Sequence, residues 1–328
     1  MRRRDFITLI GGFAAASAFA ARAQQSVLPV IGFLSDVSED TFPDRLRAFR
    51  EGLGQRGYVE GKNVVIEYGW ANGQRDKLPS LAADLVRKQV KVIAAIGGPP
   101  QALAAKQASN GIPIVFQVGA DPVAMGLVDS LAHPGGNITG VTSMNTDVVS
   151  KRLELMHQLA PSAASIALLV DPTYPVNVEI EKKEMQAAAR NLRLELHVLG
   201  ASSESEFDEV FANLRSLKIG ALVLSSAQLF TRNSQKLSAL AIRDGIPAMS
   251  AYREFPMAGG LLSYGGDIAE SWRLAGVYTG RVVKGERPAD LPVQQSTKFE
   301  FVINMKTAKS LGLAVPPGVL SIADRVIE

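Results

Sequence analysis

The chain has 328 residues, with 35 lysines and arginines against 32 aspartates and glutamates, and it has no cysteine. Because domains usually hold about 100–200 residues, this length predicts two lobes that each bury a core. The lack of cysteine excludes disulfides, thiolate metal sites and a cysteine nucleophile. The formal net charge of +3 points to an acidic partner, but there is no long run of like charges to bind nucleic acid.

The N-terminus has the pattern of an export signal. Arg2–Arg4 precede an uncharged stretch, residues 7–21, which is too short and too rich in glycine and alanine to span a membrane. The small-x-small pattern that ends at Ala23 completes a secretory signal peptide, predicted over residues 1–23. The run Arg3–Ile7 looks like a twin-arginine signal, with an arginine-rich Sec signal as the alternative. We therefore expect the protein in the periplasm.

Cleavage near Ala23 accounts for the net charge. It removes four of the 35 basic residues and one of the 32 acidic residues, which leaves 31 of each. The mature chain is then formally neutral, and the charge no longer favours nucleic acid as a partner.

After the signal, short apolar strands alternate with amphipathic helices. Near-continuous apolar runs indicate strands whose two faces are both covered by helices, as in a parallel sheet. In chain order, the first half is predicted as strand Val30–Leu34, helix Pro43–Arg56, strand Val64–Tyr68, helix Leu78–Lys88, strand Val92–Ile96, helix Pro99–Ala108 and strand Ile114–Phe116. After Gly140 the pattern begins again, with helix Lys151–Leu159, strand Ile166–Val170, helix Glu179–Leu192, strand Leu194–Leu199, helix Glu204–Leu217, strand Ala221–Leu224, helix Gln235–Arg243, strands Pro247–Ser250 and Leu261–Tyr264, helix Ile268–Lys284 with Asp267 as N-cap, and strand Phe299–Ile303.

The repeated pattern predicts an α/β protein of two lobes, each a doubly wound parallel sheet, joined by a hinge of several crossovers. No Pro/Gly/Ser-rich linker separates independent domains. The first lobe is predicted over residues 24–140 and about 260–290, and the second over 141–259 and about 291–328. Crossovers are expected at Asn137–Thr142, Gly259–Gly266 and Pro288–Pro292.

Common catalytic and cofactor patterns are missing from the sequence. The three histidines, His133, His157 and His197, have no partners at metal-ligand spacing. There is no nucleophile elbow, no S-x-x-K pair and no glycine-rich dinucleotide fingerprint. We therefore predict no catalysis, no metal and no cofactor.

Candidate binding residues follow the predicted strands, because ligands of open α/β sheets collect beyond the carboxyl ends of the strands. Gly97-Gly98 leaves the backbone open before a helix start that favours a carboxylate or phosphate. Aspartates at these ends could accept hydrogen bonds from a ligand ammonium, and tyrosines could form an aromatic wall. The candidates are Ser35, Gly98, Pro99, Asp121, Asp171, Tyr174, Ser226, Ala227 and Tyr252.

Each candidate also has a purely structural interpretation. Asp121 and Asp171 each precede a proline, which is the ordinary pattern of a helix N-cap. Gly-Gly before Pro-Pro is typical of a turn, and Tyr252 is as well suited to packing as to stacking on a ligand. Repetition of such loops in both lobes favours the functional interpretation.

Eight longer segments together resemble one known family. They are residues 30–35, 57–63, 78–86, 112–116, 133–141, 252–255, 259–265 and 291–295, which include GYVEGKN, HPGGNITGV and GGLLSYG. Over essentially the whole chain, they resemble the ABC-transporter substrate-binding family that includes tryptophan- and tyrosine-binding proteins and has a type I periplasmic-binding-protein fold.

The resemblance implies a monomer whose lobes close over a small solute and deliver it to an ABC permease in the cytoplasmic membrane. Characterised relatives bind aromatic amino acids, so an aromatic amino acid or a related carboxylate is the expected ligand. The family's ligand loops fall on Ser35, Gly98-Pro99, Asp121, Asp171–Asn177, Ser226-Ala227 and Tyr252. The resemblance thus adds Asn177 to the nine candidates above, which makes ten predicted site residues. The chain departs from many relatives at Gly97-Gly98-Pro99-Pro100, where they have Gly-Thr or Gly-Gly-Thr and hence two more possible donors to a carboxylate.

Two other functions stay open at the level of the sequence. One is a ligand-sensing module that signals to a membrane receptor, which sequence does not separate from an importer component. The other is a secreted α/β hydrolase, for which Asp121 and Asp171 are the only acid pair that the sequence nominates.

Overall fold

The computed structural model describes residues 28–146 and 148–328, so the predicted signal peptide lies outside the described residues. The strands are β1 Val30–Ser35, β2 Val65–Trp70, β3 Val92–Ile96, β4 Ile114–Val118, β5 Ile138–Thr142, β6 Ser165–Val170, β7 Glu195–Gly200, β8 Ala221–Leu224, β9 Ala248–Ser250, β10 Leu262–Gly266, β11 Gln294–Gln295, β12 Phe299–Asn304 and β13 Arg325–Ile327. The helices are α1 Pro43–Gly54, α2 Leu78–Arg87, α3 Pro99–Ala108, α4 Val149–Leu159, α5 Pro175–Leu192, α6 Phe207–Ser216, α7 Gln228–Arg232, α8 Ser234–Arg243, α9 Glu254–Met257, α10 Ile268–Val283, α11 Met305–Ser310 and α12 Pro317–Ser321. Short 3-10 turns cover Arg75–Lys77, Glu204–Glu206 and Pro288–Asp290.

The strands form two sheets, one in each half of the molecule. The first has the order β11-β5-β4-β3-β1-β2, and all of its pairings are parallel. The second has the order β13-β12-β10-β9-β8-β6-β7, with β12 alone antiparallel to its neighbour β10. Helices cover the sheets, and apolar side chains of the central strands are buried. The predicted fold class, two doubly wound parallel-sheet lobes, is confirmed.

Two of the predicted crossovers are strands. Residues 138–142 form β5, which is buried throughout and pairs with β4. Its β-branched residues suit a buried strand, and Gly140 lies so close to β4 that a Cβ there would be 2.2 Å from the carbonyl oxygen of Phe116. Residues 262–266 form β10, which pairs with β9 and β12.

The chain crosses between the sheets in the segment after β5, at Asp267, and between β11 and β12. Accordingly β10, predicted within the first lobe, pairs in the second sheet, while β11, predicted within the second, pairs in the first. We propose that the lobes comprise residues 28–142 with 267–295, and 143–266 with 296–328.

Helix α10 returns to the first lobe and packs closely on α1. A Cβ on Gly52 would lie 1.9 Å from the carbonyl oxygen of Arg273, and one on Gly276 would lie 2.1 Å from that of Phe49. Only glycine permits this approach of the two backbones. The predicted N-cap is confirmed, because Asp267 Oδ1 accepts a hydrogen bond from the Glu270 amide at 3.1 Å.

No helix of residues 28–146 and 148–328 combines the length and apolar character that crossing a bilayer requires.

Candidate functional site

The carboxyl ends of both sheets border a cleft between the lobes. The first sheet contributes the β3–α3 loop and the end of β4, and the second contributes the loops after β6, β8 and β9. Eight of the ten predicted site residues line the cleft: Gly98, Pro99, Asp171, Tyr174, Asn177, Ser226, Ala227 and Tyr252. The structure therefore brings these eight residues together at the carboxyl ends of the two sheets, and their role in binding stays a prediction.

The structure does not bring the other two predicted residues to the cleft wall. Ser35 is fully buried beneath Gly97, where an added Cβ would lie 3.3 Å from Ser35 Oγ. Asp121 caps its own turn, and its Oδ1 accepts a hydrogen bond from the Val123 amide at 2.8 Å. Capping, the structural interpretation of this Asp-Pro pair, accounts for Asp121.

The start of α3 forms one wall of the cleft. Gly97 and Gly98 have φ values of 117° and 154°, a conformation that side chains rarely permit. Pro99 and Pro100 then occupy the first two helical positions, where they supply no N–H groups. The Gly97 carbonyl oxygen accepts a hydrogen bond from Nε2 of Gln228 in the second lobe. This helix start therefore offers fewer donors to an anion than an ordinary one.

Arg75 joins the lobes at one side of the cleft. Its Nη1 and Nη2 both donate to Asp171 Oδ2 at 3.1 Å, and Nη1 also donates to Thr173 Oγ1. In the first lobe, Nε lies 3.5 Å from Asp36 Oδ2. The guanidinium also lies 4.2 Å from the centre of the Tyr174 ring, a distance typical of a cation–π contact.

Burial dominates the electrostatics around Arg75. It raises the pKa of the Asp36 carboxyl, and the charges of Arg75 and Arg232 counteract the shift only in part. Burial likewise raises the pKa of the Tyr174 hydroxyl well above its ordinary value. Asp171, which lines the same cleft, pairs with Arg75 across it.

Glu181, on α5, is a cleft residue that the sequence did not reveal. It is 2% exposed, and its Oε1 accepts hydrogen bonds from Ser226 Oγ at 2.8 Å and from the Ser226 amide at 3.2 Å. Burial raises the pKa of the Glu181 carboxyl, against the opposing influence of Arg152 and the Ser226 hydrogen bonds. A glutamate within a predicted helix usually faces solvent, so no local signal identifies it.

Arg152 is the buried cation whose charge opposes the pKa shift of Glu181, and it donates hydrogen bonds to backbone carbonyl oxygens. Its Nε donates to the Tyr264 carbonyl oxygen at 2.8 Å and its Nη2 to that of Asn145 at 2.7 Å. Its side chain does not line the cleft. Burial lowers the pKa of its guanidinium.

Tyr252 belongs both to the cleft wall and to the packed interior. It is 8% exposed, and it joins the apolar cluster that surrounds Phe33 and Trp272 of the first lobe. Its hydroxyl accepts a hydrogen bond from Asn145 Nδ2 at 3.0 Å. Packing, one of the two interpretations that the sequence allowed, therefore applies to this side chain, and stacking on a ligand stays a prediction.

A second ion pair crosses the cleft near Tyr252. Arg45 of α1 donates from Nε at 3.1 Å and from Nη2 at 2.5 Å to Oε1 of Glu254 on α9. Sequence reasoning missed both, because 209 residues separate them along the chain.

Within residues 28–146 and 148–328, no group of His, Asp or Glu is arranged to hold a metal ion.

Comparisons with known proteins agree with this arrangement. The family model described as ABC transporter substrate binding protein matches residues 30–327. A tyrosine-binding protein of Clostridioides difficile is 29% identical over 283 residues, which are 86% of this chain and 81% of the relative.

Two solved structures differ in how closely they superpose. A Streptococcus pneumoniae ABC domain in complex with L-Trp has 26% identity and a TM-score of 0.84, covering 92% of this chain and all of that one. A ligand-free, open substrate binding protein with adhesive properties from Clostridium difficile has 25% identity and a TM-score of 0.67, covering 92% of this chain and 99% of its own. The overall geometry of the present chain is thus more similar to the ligand complex.

Proposed function

Because the chain belongs to the ABC transporter substrate-binding protein family, we propose that it is the periplasmic solute receptor of an ABC importer and binds one small molecule between its lobes. The observation that carries this proposal is the cleft itself. Side chains and loops of both sheets converge there from their carboxyl ends, where open α/β sheets bind ligands.

Binding in this cleft would couple to closure. A solute that contacts Gly98 and Pro99 in the first lobe and Tyr174 and Asn177 in the second makes its full set of contacts only when the lobes approach. Its affinity is then higher for the closed conformation, and binding shifts the population toward that state. A monomeric receptor of this kind presents a closed surface to its permease, the proposed partner in the cytoplasmic membrane.

The proposed ligand is an aromatic amino acid or a related compound. The names of the relatives support this class, since one is a tyrosine-binding protein and another was solved with L-Trp. Tyr174 and Tyr252 line the cleft from the second lobe and can pack against an aromatic ring.

The alternative of a secreted hydrolase receives no support from the placement of the acids. Asp171 lines the cleft, but Asp121 does not, and its Oδ1 is occupied by the Val123 amide. The nominated pair is therefore not assembled around a common substrate position. A sensing role would use the same cleft and differ only in the membrane partner.

Calorimetric titration of the purified protein with L-tyrosine and L-tryptophan tests the proposal. A ligand at about 100 times its Kd should add about 2.7 kcal/mol to the free energy of unfolding. Asp171→Asn should weaken binding at least about tenfold, since it removes the charge that holds Arg75 across the cleft and so favours the open conformation. Asp121→Asn is the matched control, and we expect it to leave the affinity unchanged because Asp121 does not line the cleft. The proposal would be contradicted if neither L-tyrosine nor L-tryptophan binds, or if the two variants lose the same amount of affinity.

A further inference from the structure

The cleft contains buried oxygen acceptors that lack donors. Gln117 of β4 is 1% exposed, and its Oε1 has no hydrogen-bond partner among the described residues. Gln228 of α7 is 9% exposed, and its Oε1 likewise has no partner among the described residues, while its Nε2 donates to the Gly97 carbonyl oxygen. Both side chains line the cleft. Buried acceptors without donors are costly, so these two oxygens call for a ligand with N–H or O–H groups.

Glu181 adds a carboxylate acceptor to the cleft wall. Both hydrogen bonds from Ser226 go to Oε1, and no hydrogen bond reaches Oε2 within the described parts of the chain. Gln117 belongs to the first lobe, whereas Glu181 and Gln228 belong to the second. A donor group that reaches all three therefore makes its complete set of bonds only between closed lobes.

The described cleft wall offers a ligand carboxylate a single cation, and two of its three nitrogens already donate to a protein carboxylate. Arg45 is the only cationic side chain in the described cleft wall, and its Nε and Nη2 both donate to Glu254. Arg75 is paired with Asp171 and lies close to Asp36. The start of α3, with Pro99 and Pro100, has lost two N–H groups that could bind an anion.

We propose that this cleft selects its solute by an amino or ammonium group held at Glu181, Gln117 and Gln228, and that it does not require a carboxylate. An ammonium carries three N–H donors, which matches the three acceptors. Its bond to a buried carboxylate is charge-assisted and therefore stronger than a neutral one. The rest of the solute packs against Tyr174 and Tyr252. This inference rests on the proposed function and narrows its ligand class to amines.

Matched trios of small molecules test the inference on the wild-type protein. Calorimetry compares L-tyrosine with tyramine, which lacks the carboxylate, and with 3-(4-hydroxyphenyl)propionate, which lacks the amine; the tryptophan, phenylalanine and leucine trios are measured alongside. In the trio that binds, we expect the amine to match the amino acid within about tenfold and the acid to bind at least about a hundredfold more weakly.

The outcomes separate the two proposals. If an amino acid binds but its amine does not, or if the acid binds as well as the amine, amine selection is overturned while the receptor function stands. If no member of any trio binds, both amine selection and the amino-acid ligand class are overturned.

A variant pair on α5 adds a test of the residue. Glu181→Gln keeps the shape of the side chain and an oxygen for Ser226, and it should weaken amine binding at least about tenfold. Glu179→Gln on the same helix is exposed and should change amine affinity by less than about twofold. Thermal unfolding shows whether each variant is folded. Unchanged amine affinity in a folded Glu181→Gln protein would overturn the proposal, and if that variant does not fold, the wild-type trios decide it.

Discussion

The guanidinium of Arg75 donates from both Nη1 and Nη2 to Oδ2 of Asp171, each at 3.1 Å, and so joins the two lobes. Arg75 follows β2 in the first lobe, and Asp171 follows β6 in the second. The carboxylate also accepts hydrogen bonds from Thr173 on Oδ1, so both of its oxygens are bonded. The protein's own side chains therefore link the two sides of the cleft.

Arg75→Gln should shift the protein toward an open conformation. Hydrogen bonds to charged groups are worth about 1.5–3 kcal/mol, so loss of this contact should favour opening by about 2 kcal/mol. The expected results are a larger radius of gyration by small-angle X-ray scattering and at least about tenfold faster ligand release. Arg87→Gln, which removes an exposed arginine paired with Asp84 on its own helix, is the control. Identical scattering and release rates in both variants would show that Arg75 does not hold the lobes together.

Tyr252→Ala should destabilise the protein even without ligand. The ring is 8% exposed within an apolar cluster, and large-to-small changes at such sites cost about 3–5 kcal/mol. Tyr252→Phe keeps the ring and removes only the acceptor of Asn145, whose Nδ2 retains Ser143 Oγ at 3.0 Å. That variant should lose about 1 kcal/mol. Urea denaturation measures both, and a Tyr252→Ala protein as stable as wild type would mean that the side chain serves only the ligand.

Local patterns in the sequence predicted the central parts of the fold. Val92–Ile96 and Ala221–Leu224 have exactly the bounds expected, because a strand buried on both faces is apolar at every position. β5 was missed because a glycine such as Gly140 is typical of a turn. Gly140 is needed here because β4 lies so close to it, and the sequence does not reveal that contact.

The residues of the candidate site likewise fall into those that the sequence predicted and those that it missed. Loops at strand ends are visible in a sequence, and they provided Asp171, Tyr174 and Ser226. Arg75 and Glu181 were missed because their roles depend on partners far along the chain: 96 residues separate Arg75 from Asp171, and 45 separate Glu181 from Ser226. Only the tertiary structure brings these groups together.

Gly52→Ala should lower stability much more than Gly54→Ala, although both glycines lie on α1. A Cβ at Gly52 would be 1.9 Å from the Arg273 carbonyl oxygen, so α10 would have to move, at a cost of about 3 kcal/mol. At Gly54 nothing lies within 4 Å, and alanine should gain up to about 1 kcal/mol from its helix propensity. Chemical denaturation of both variants measures the difference, and equal stabilities would contradict the tight α1–α10 contact.

Glu181 should make the free energy of unfolding depend on pH. Because burial raises the pKa of this carboxyl above its ordinary 4.5, the folded protein retains the proton at pH values where the unfolded chain has released it. The native state then binds more protons, and stability falls as the pH rises through that range. Above the folded-state pKa the loss is complete and constant.

Glu181→Gln removes this titration and isolates its contribution. The stability of wild type relative to Glu181→Gln should fall as the pH rises above the ordinary pKa of glutamate, until the folded-state carboxyl has also ionised. Urea denaturation across this range measures it, and Glu179→Gln on the same helix should follow the wild-type curve. A difference that rises with pH would mean that Arg152 and Ser226 stabilise the Glu181 carboxylate by more than its burial costs.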